Sequence, residues 1–271
     1  MAREGSQPND REMRGPPVIA RSIGTLYVVS TPIGHPDDIT LRALATMRRV
    51  TIIASESPRV TQALLAHHGI TATVTSYGPF NLHEKMRLLL YRLMQGQDVA
   101  LVSDNGTPVI YDPGSLLVAA AHQAGIPVKA IPGPSTITAA TAISGFSGDA
   151  IVFAGHLPTA GRSLAQHLSQ LHNERSTLVF YVKPRTLTRL LKVLAQIFPA
   201  RQVAIAMNLT TPRETVLRGI PSALRDQIRL VAKDSAVTVV IEGKRMGSRT
   251  RNDAQKGPMR YSSSRRRIRT R

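Results

Sequence analysis

The chain has 271 residues, the length of one large domain or two ordinary ones, and 42% of them are apolar, so wholesale disorder is excluded. Cysteine and tryptophan are absent and aromatics make up only 4%, which removes disulfides, zinc–thiolate sites, iron–sulfur clusters and cysteine nucleophiles and argues against an aromatic platform for single strands. Of the net charge of +18, +10 falls in Lys244–Arg271, where eleven Lys and Arg face one Asp, leaving a moderate basic excess elsewhere.

The opening MAREGSQPNDREMRG is polar, and no apolar run approaches the roughly 18 residues needed to cross a bilayer. A cytoplasmic protein with no membrane partner is expected. Residues 1–22 read as a disordered extension, and 244–271 as a disordered basic tail attracted to polyanions or serving only solubility.

From Gly24 the chain alternates β-branched runs with helical patterns. Leu26–Ser30 reads as a buried strand, and Thr40 caps a helix to Arg49 with Leu41, Leu44 and Met47 on one face. A strand at Val50–Ala54, a helix from Ser57 to His68 ended by Gly69, a weaker strand at Thr71–Tyr77 and a helix at Leu82–Gln95 come next. Val99–Ser103 is a wholly apolar strand; after the loop DNGTPVIY, Asp112 is expected to begin a helix with Pro113 in its first turn. Ile126–Ile131 is a further strand, and Ser135 is placed to cap the small-residue helix Thr136–Ser144.

The pattern resets at Gly145–Asp149. The second half offers strands at Ile151–Ala154, Thr177–Val182, Gln202–Met207, Glu214–Arg218 and Val237–Ile241, with helices near Ser163–Leu171, Pro184–Phe198 and Pro221–Ile228. The expected fold is therefore α/β in two domains, a mainly parallel sheet in 23–145 and a mixed sheet in 146–243.

Three loops at strand carboxyl ends carry the unusual residues: Thr31-Pro32-Ile33-Gly34-His35, Asp104-Asn105-Gly106-Thr107-Pro108 and Pro132-Gly133-Pro134-Ser135. Open α/β sheets bind ligands at such ends, where backbone N–H groups and helix N-termini converge. Glycine there permits close approach and proline stiffens the loop, although both also simply make turns. Glu56 and Asp104 offer carboxylates near this cleft and Arg59 a cation for phosphate; the plain alternative is a helix-terminal acid with a local Arg. His35 and His156 each come after a strand and stand apart from the other histidines. The phosphate-binding G-x-x-x-x-G-K-[ST], G-x-G-x-x-G after the first strand, G-x-S-x-G and metal-spaced histidines are all missing, so no metal is expected.

The segments LYVVSTPIGHPDDITLRAL, ALVSDNGTPVIYDPG, IPGPS, IVFAGHLP, LVFYVKPRTL and VTVVIEG, in this order from Gly24 to Gly243, resemble the tetrapyrrole methylase superfamily. The opening TPIGHPDD resembles its ribosomal-RNA branch rather than the G-x-G-P-G-D loop of corrin and porphyrin methylases. The resemblance implies two α/β domains with an S-adenosylmethionine cleft between them, a homodimer, and methyl transfer to a cytidine ribose 2′-hydroxyl of small-subunit ribosomal RNA. It implies that Pro32, Gly34, Asp104, Gly106, Thr107, Pro108, Pro132, Gly133 and Ser135 line the cofactor cleft. Leu209 and Thr210 match a segment that closes over the adenosine. Glu56 or Asp104 is then expected as base or orienter and Arg59 as a phosphate ligand, with Lys183, Arg185, Arg189 and the tail on RNA.

The chain departs from the family at His35, Ser57-Pro58, Asn105, Val109, Tyr111 and Met207-Asn208. Val109 stands at a glycine position and is expected to exclude a positive φ there. Two alternatives stay open: a small-molecule tetrapyrrole methyltransferase, and a catalytically weakened RNA-binding member.

Overall fold

The computed structural model describes residues 22–230 and 232–244, without the side chains of 229 and 230. The expected N-terminal extension and basic tail lie outside these residues, apart from Ser22 and Lys244.

Five short strands, β1 (Leu26–Val29), β2 (Ile52–Ser55), β3 (Val74–Ser76), β4 (Val99–Val102) and β5 (Val128–Ile131), form one sheet in the order β3-β2-β4-β1-β5. All its pairings are parallel. Helices α1 (Leu41–Arg49), α2 (Pro58–His67), α3 (Leu82–Met94) and α4 (Ser115–Gln123) make the crossovers. The central strand β4 is buried along its whole length, which is why it reads as an unbroken apolar run. One apolar layer joins Met47, Ile53 and Leu65 on one face; another joins Leu89, Leu93, Leu101 and Leu117 on the other. The Thr40 hydroxyl accepts from the Ala43 N–H and starts α1 as the sequence predicts.

The strand order gathers three of the loops. Because β1 lies between β4 and β5, the loops after these three strands emerge side by side at one edge. Thr31 and Gly106 exchange backbone bonds of 2.8 and 3.1 Å, extending the β1–β4 contact into the loops as an antiparallel bridge.

A second sheet contains β6 (Ile151–His156), β7 (Thr177–Val182), β8 (Val203–Met207), β9 (Thr215–Gly219) and β10 (Val237–Ile241), in the order β6-β7-β10-β8-β9. Only the β6–β7 pairing is parallel, so the sheet is mixed. Helices α6 (Gly161–Gln170), α7 (Leu187–Ile197) and α8 (Pro221–Leu224) cover one face through Leu168, Leu191, Leu194 and Leu224. The opposite face holds Val179, Ala204, Ala206 and Val240, and there α5 (Thr136–Ser144) lays Ala140 against it. Small side chains on both partners let helix and sheet approach closely. Thus α5 leaves a loop of the first sheet yet packs on the second.

Five local expectations change. Asp112 does not begin a helix: α4 starts at Ser115, after Gly114 at φ 140°, a value no helix contains. A Cβ at Gly114 would also lie 2.8 Å from Leu101 Cδ2, so the turn belongs to glycine. Ser135 precedes α5, but its side chain makes no capping bond. Pro184–Thr186 is a 3-10 turn ahead of α7, and the helix foreseen at Pro221–Ile228 splits into α8 and a 3-10 turn at Gln227–Leu230. Finally, Val109 adopts φ 74°, overturning the expectation that its β-branch excludes this region. Its side chain packs with the Leu101–Leu117 layer, and that burial offsets a backbone cost of roughly 1–3 kcal/mol.

Candidate active site

The loops after β1, β4 and β5 are bound to one another before any ligand is considered. Ser103 Oγ donates to the Gly106 carbonyl at 3.0 Å and Thr31 Oγ1 to the Ser103 carbonyl at 3.0 Å. Thr107 Oγ1 lies 2.9 Å from Ser30 Oγ, and Gly133 sits against Ser30, where a Cβ would come to 3.0 Å of Ser30 Cβ. Gly106 has φ 85°, and Pro108 is buried behind it. Gly106, Thr107, Pro108 and Gly133 therefore tie the loops into one rim, with Pro132 exposed beside them and Ser135 at the start of α5, but none of these six lines either of the two cavities at that rim.

The second half closes onto this rim. A Cβ at Gly34 would lie 2.2 Å from the Leu209 carbonyl oxygen, so only glycine admits the Leu209–Thr210 turn there. The His35 N–H donates to Thr210 Oγ1 at 2.8 Å. Asn208 and Thr210 both hold positive φ, 49° and 62°. Leu209 and Thr210 thus meet the first loop, next to residues assigned with them by resemblance.

Between the two sheets lies a cavity of about 480 Å³, within the size range of small-molecule sites. Glu56, Asp104 and Asp112 line it from the first sheet; His156, Tyr181 and Lys183 from the second. A smaller cavity of about 310 Å³ lies on the other side of the Asp104 loop and is lined by Pro32, Gly34, His67 and Asp104. Arg59, exposed on the first turn of α2, lines neither. Asp104 is common to both, and its Oδ1 accepts the Ser57 N–H at 3.1 Å, fixing it at the entrance to α2.

The electrostatics of the larger cavity are one-sided. Burial first, and then the charges of Glu56 and Asp104, push the Asp112 carboxyl up to about 6, against a hydrogen bond with Ser103 that lowers it. Glu56 is raised by burial and then by Asp104. Among the described residues none of these carboxylates makes an ion pair. Facing them, Tyr181 is raised by burial, while a hydrogen bond with Thr136 lowers it. His156 is lowered by burial and by nearby Lys183, so its ring stays neutral near pH 7.

Tyr111 joins the two walls. Its ring lies edge-on to His156 (4.9 Å between centroids) and Tyr181 (6.1 Å), and a Cβ on Gly155 would come within 2.6 Å of its Cε2. Sequence reasoning missed Asp112 and Tyr181 as site residues and placed Lys183 on RNA. The Asp112-Pro113-Gly114 run was the available signal, since a glycine two positions on marks a turn as readily as a helix start.

The sequence model of the Tetrapyrrole (Corrin/Porphyrin) Methylases matches residues 25–223, most of the described chain, with the whole first sheet and every strand of the second except β10. The chain belongs to the tetrapyrrole methylase family. Among curated relatives of this methylase, the Ribosomal RNA small subunit methyltransferase I of Micromonospora olivasterospora is 40% identical over 221 residues, 81% of this chain and 71% of that one. Its namesake from Xylella fastidiosa is 41% identical over 206 residues, 76% of each chain. The Thermotoga maritima protein of the same name is 37% identical over 222 residues, 82% of this chain and 100% of that one. Solved structures share the fold: a cobalt precorrin-4 methyltransferase (19% identity, TM-score 0.59, covering 80% of this chain and 94% of that one). A uroporphyrin-III-C-methyltransferase from Thermus thermophilus behaves likewise (22%, TM-score 0.58, 81% and 94%). At that identity the likeness speaks for architecture alone. Among the described residues of this tetrapyrrole methylase, no helix is long and apolar enough to cross a membrane.

Proposed function

We propose that this tetrapyrrole methylase transfers a methyl group from S-adenosylmethionine to a cytidine ribose 2′-hydroxyl of small-subunit ribosomal RNA. The observation that carries the reading is the carboxylate set Glu56, Asp104 and Asp112, collected without an ion-pair partner in a cleft of a chain whose net charge is +18. Carboxylates that no protein cation pairs, Lys183 standing on the opposite wall, suit a ligand that brings its own charge, and S-adenosylmethionine carries both a sulfonium and an ammonium. The aromatic face of Tyr181 opposite adds a surface that favours cations. The ribosomal RNA methyltransferases among the relatives support RNA as the acceptor.

When bound, S-adenosylmethionine supplies an electrophilic methyl group on positively charged sulfur. The chain's own residues then position and deprotonate. Asp104, held by the Ser57 N–H, orients the cationic end. Glu56 and Asp112 hold protons more tightly than ordinary carboxylates, which matches them to accept one from a hydroxyl near neutral pH. Lys183 at the second-sheet wall, with Arg185 exposed beside it, offers charge to RNA phosphate. Arg189 already donates to the Thr159 carbonyl at 2.6 Å, which ties it to the α6 entrance. Arg59 remains assigned to phosphate from its exposed place on α2. The same reading includes a cytoplasmic homodimer, and it takes 23–145 and 146–243 as the two domains.

The test is transfer of radiolabelled methyl to purified small ribosomal subunits, then nuclease digestion and nucleoside mass spectrometry. The expected product is 2′-O-methylcytidine. Label in a base, in an acidic tetrapyrrole instead of RNA, or in nothing while RNA still binds would each overturn the reading. Sedimentation checks the dimer.

A further inference from the structure

Away from the larger cavity, on the outer side of the β1–α1 loop, four groups of metal-ligating character meet. His67 Nε2 lies 2.8 Å from Asp37 Oδ1, and the ring of His68 stands edge-on to that of His67 with centroids 4.7 Å apart. One ligand atom from each of Asp37, His67 and His68 falls within 4.8 Å of the others. His35 adds a third imidazole, with Nδ1 4.0 Å from Asp37 Oδ2. No metal spacing is visible in the sequence because the carboxylate is 30 residues from its histidine partner.

We propose that Asp37, His67 and His68 form a binding site for a borderline divalent transition cation such as zinc or nickel. Two imidazoles and a carboxylate are the donor set these ions prefer, whereas magnesium and calcium favour oxygen alone. Bonds of about 2.0–2.2 Å require ligand atoms roughly 3.3 Å apart. The Asp37–His67 pair is already closer than that, and the His68 ligand atom, within 4.8 Å of both, has the remaining gap to close. The positions of His67 and Asp37 at the surface leave both free to adjust. His68 Nε2 now points its hydrogen at the Pro36 carbonyl, 3.1 Å away. Each ring must move its proton to Nδ1 to present the Nε2 lone pair, an exchange that neutral imidazole makes through water.

The location gives the cation a purpose. Asp37 belongs to the turn just after Gly34 and His35, while His67 and His68 end α2. A bound ion would staple that turn to α2 beside the smaller cavity, which Gly34, Pro36 and His67 line. With three protein ligands, one or two coordination positions stay open to water.

The test is calorimetric titration of the full chain, free of any histidine tag, with zinc and with nickel chloride, alongside thermal melts. All eight histidines are among the described residues, so competing imidazole sites can be controlled individually. One equivalent should bind and raise the melting temperature by several degrees, and magnesium should do neither. Asp37→Asn and His67→Ala should each weaken binding at least about tenfold, with His122→Ala, on exposed α4, leaving it unchanged. Metal-free melts of the variants separate a lost site from a lost fold, and Asp37→Asn preserves the shape of the side chain. No saturable binding, or binding equally strong in Asp37→Asn and His67→Ala, would overturn the proposal.

Discussion

Gly34 presses against the carbonyl of Leu209 so closely that a Cβ would stand 2.2 Å from its oxygen. That contact joins the first loop of one sheet to a left-handed turn of the other. Backbone on backbone cannot yield by rotamer change, so Gly34→Ala must separate the loops. We expect at least about tenfold weaker binding of S-adenosylmethionine by calorimetry. Gly148→Ala, where a Cβ meets nothing within 4 Å, is the matched control and should bind normally.

Asp112 makes the stability of the fold depend on pH. Its proton is held more tightly in the folded chain, at about 6 against an ordinary 3.8. Its favourable contribution is therefore complete below pH 3.8 and is lost as pH rises through about 6. Asp112→Asn should unfold at higher urea than the wild type at pH 7.5 and lose the advantage near pH 4. If Asp112 also accepts the hydroxyl proton, methyl transfer in the wild type rises through pH 6 and the variant's profile is flat.

Glu56→Gln keeps the size of the side chain and removes its charge. Turnover should fall by about 10²-fold or more if Glu56 assists deprotonation, with cofactor affinity nearly intact. Single-turnover assays with a parallel titration distinguish the two, and unchanged turnover removes Glu56 from the mechanism.

Gly106→Val asks a β-branched residue to adopt φ 85° at the head of the carboxylate loop. Cofactor binding should disappear, and so should binding by Asp104→Ala, which loses both the charge and the bond to the Ser57 N–H. A variant of either kind that titrates like the wild type would place the cofactor elsewhere.

Tyr111 and Gly155 should show coupling in a double-mutant cycle. Gly155→Ala costs roughly 1–2 kcal/mol from its backbone at φ 64°, and a further part from displacing the Tyr111 ring. Tyr111→Ser removes the second part in advance, so the two losses should sum to more than the double variant shows. Urea melts measure it; strict additivity means the ring moves aside freely.

The parts of the molecule that could be read in advance are those governed by local pattern. The apolar run of β4, the strands Thr177–Val182 and Val237–Ile241, and the Thr40 cap are decided by residues within a few positions of one another. Loops after β1, β4 and β5 carried their own glycines and prolines, so their importance was visible although their ligand was not. What stayed hidden depends on distant partners. Val109 keeps a positive φ because Leu101 and Leu117 bury its side chain, information absent from the loop itself. Asp112 lines the cleft rather than opening a helix, since the chain turns at Gly114, φ 140°, and α4 begins only at Ser115. Tyr181 sits inside a strand chosen for its apolar neighbours; alternation puts it on the face of Val179, but that this face meets α5, Thr136 and the cleft depends on the distant first half.

That packing of α5 has a thermodynamic corollary. The helix begins at the Pro132-Gly133-Pro134 loop of the first sheet, while its Ala140 is interred against Val179, Ala204 and Val240 of the second. Melting either sheet strips α5 of its anchor or of its bed, and the layer that Ile33, Ala140 and Val240 share across the two halves goes with it. The described chain should therefore denature as one cooperative unit, with equal calorimetric and van't Hoff enthalpies, despite having the outline of two modules.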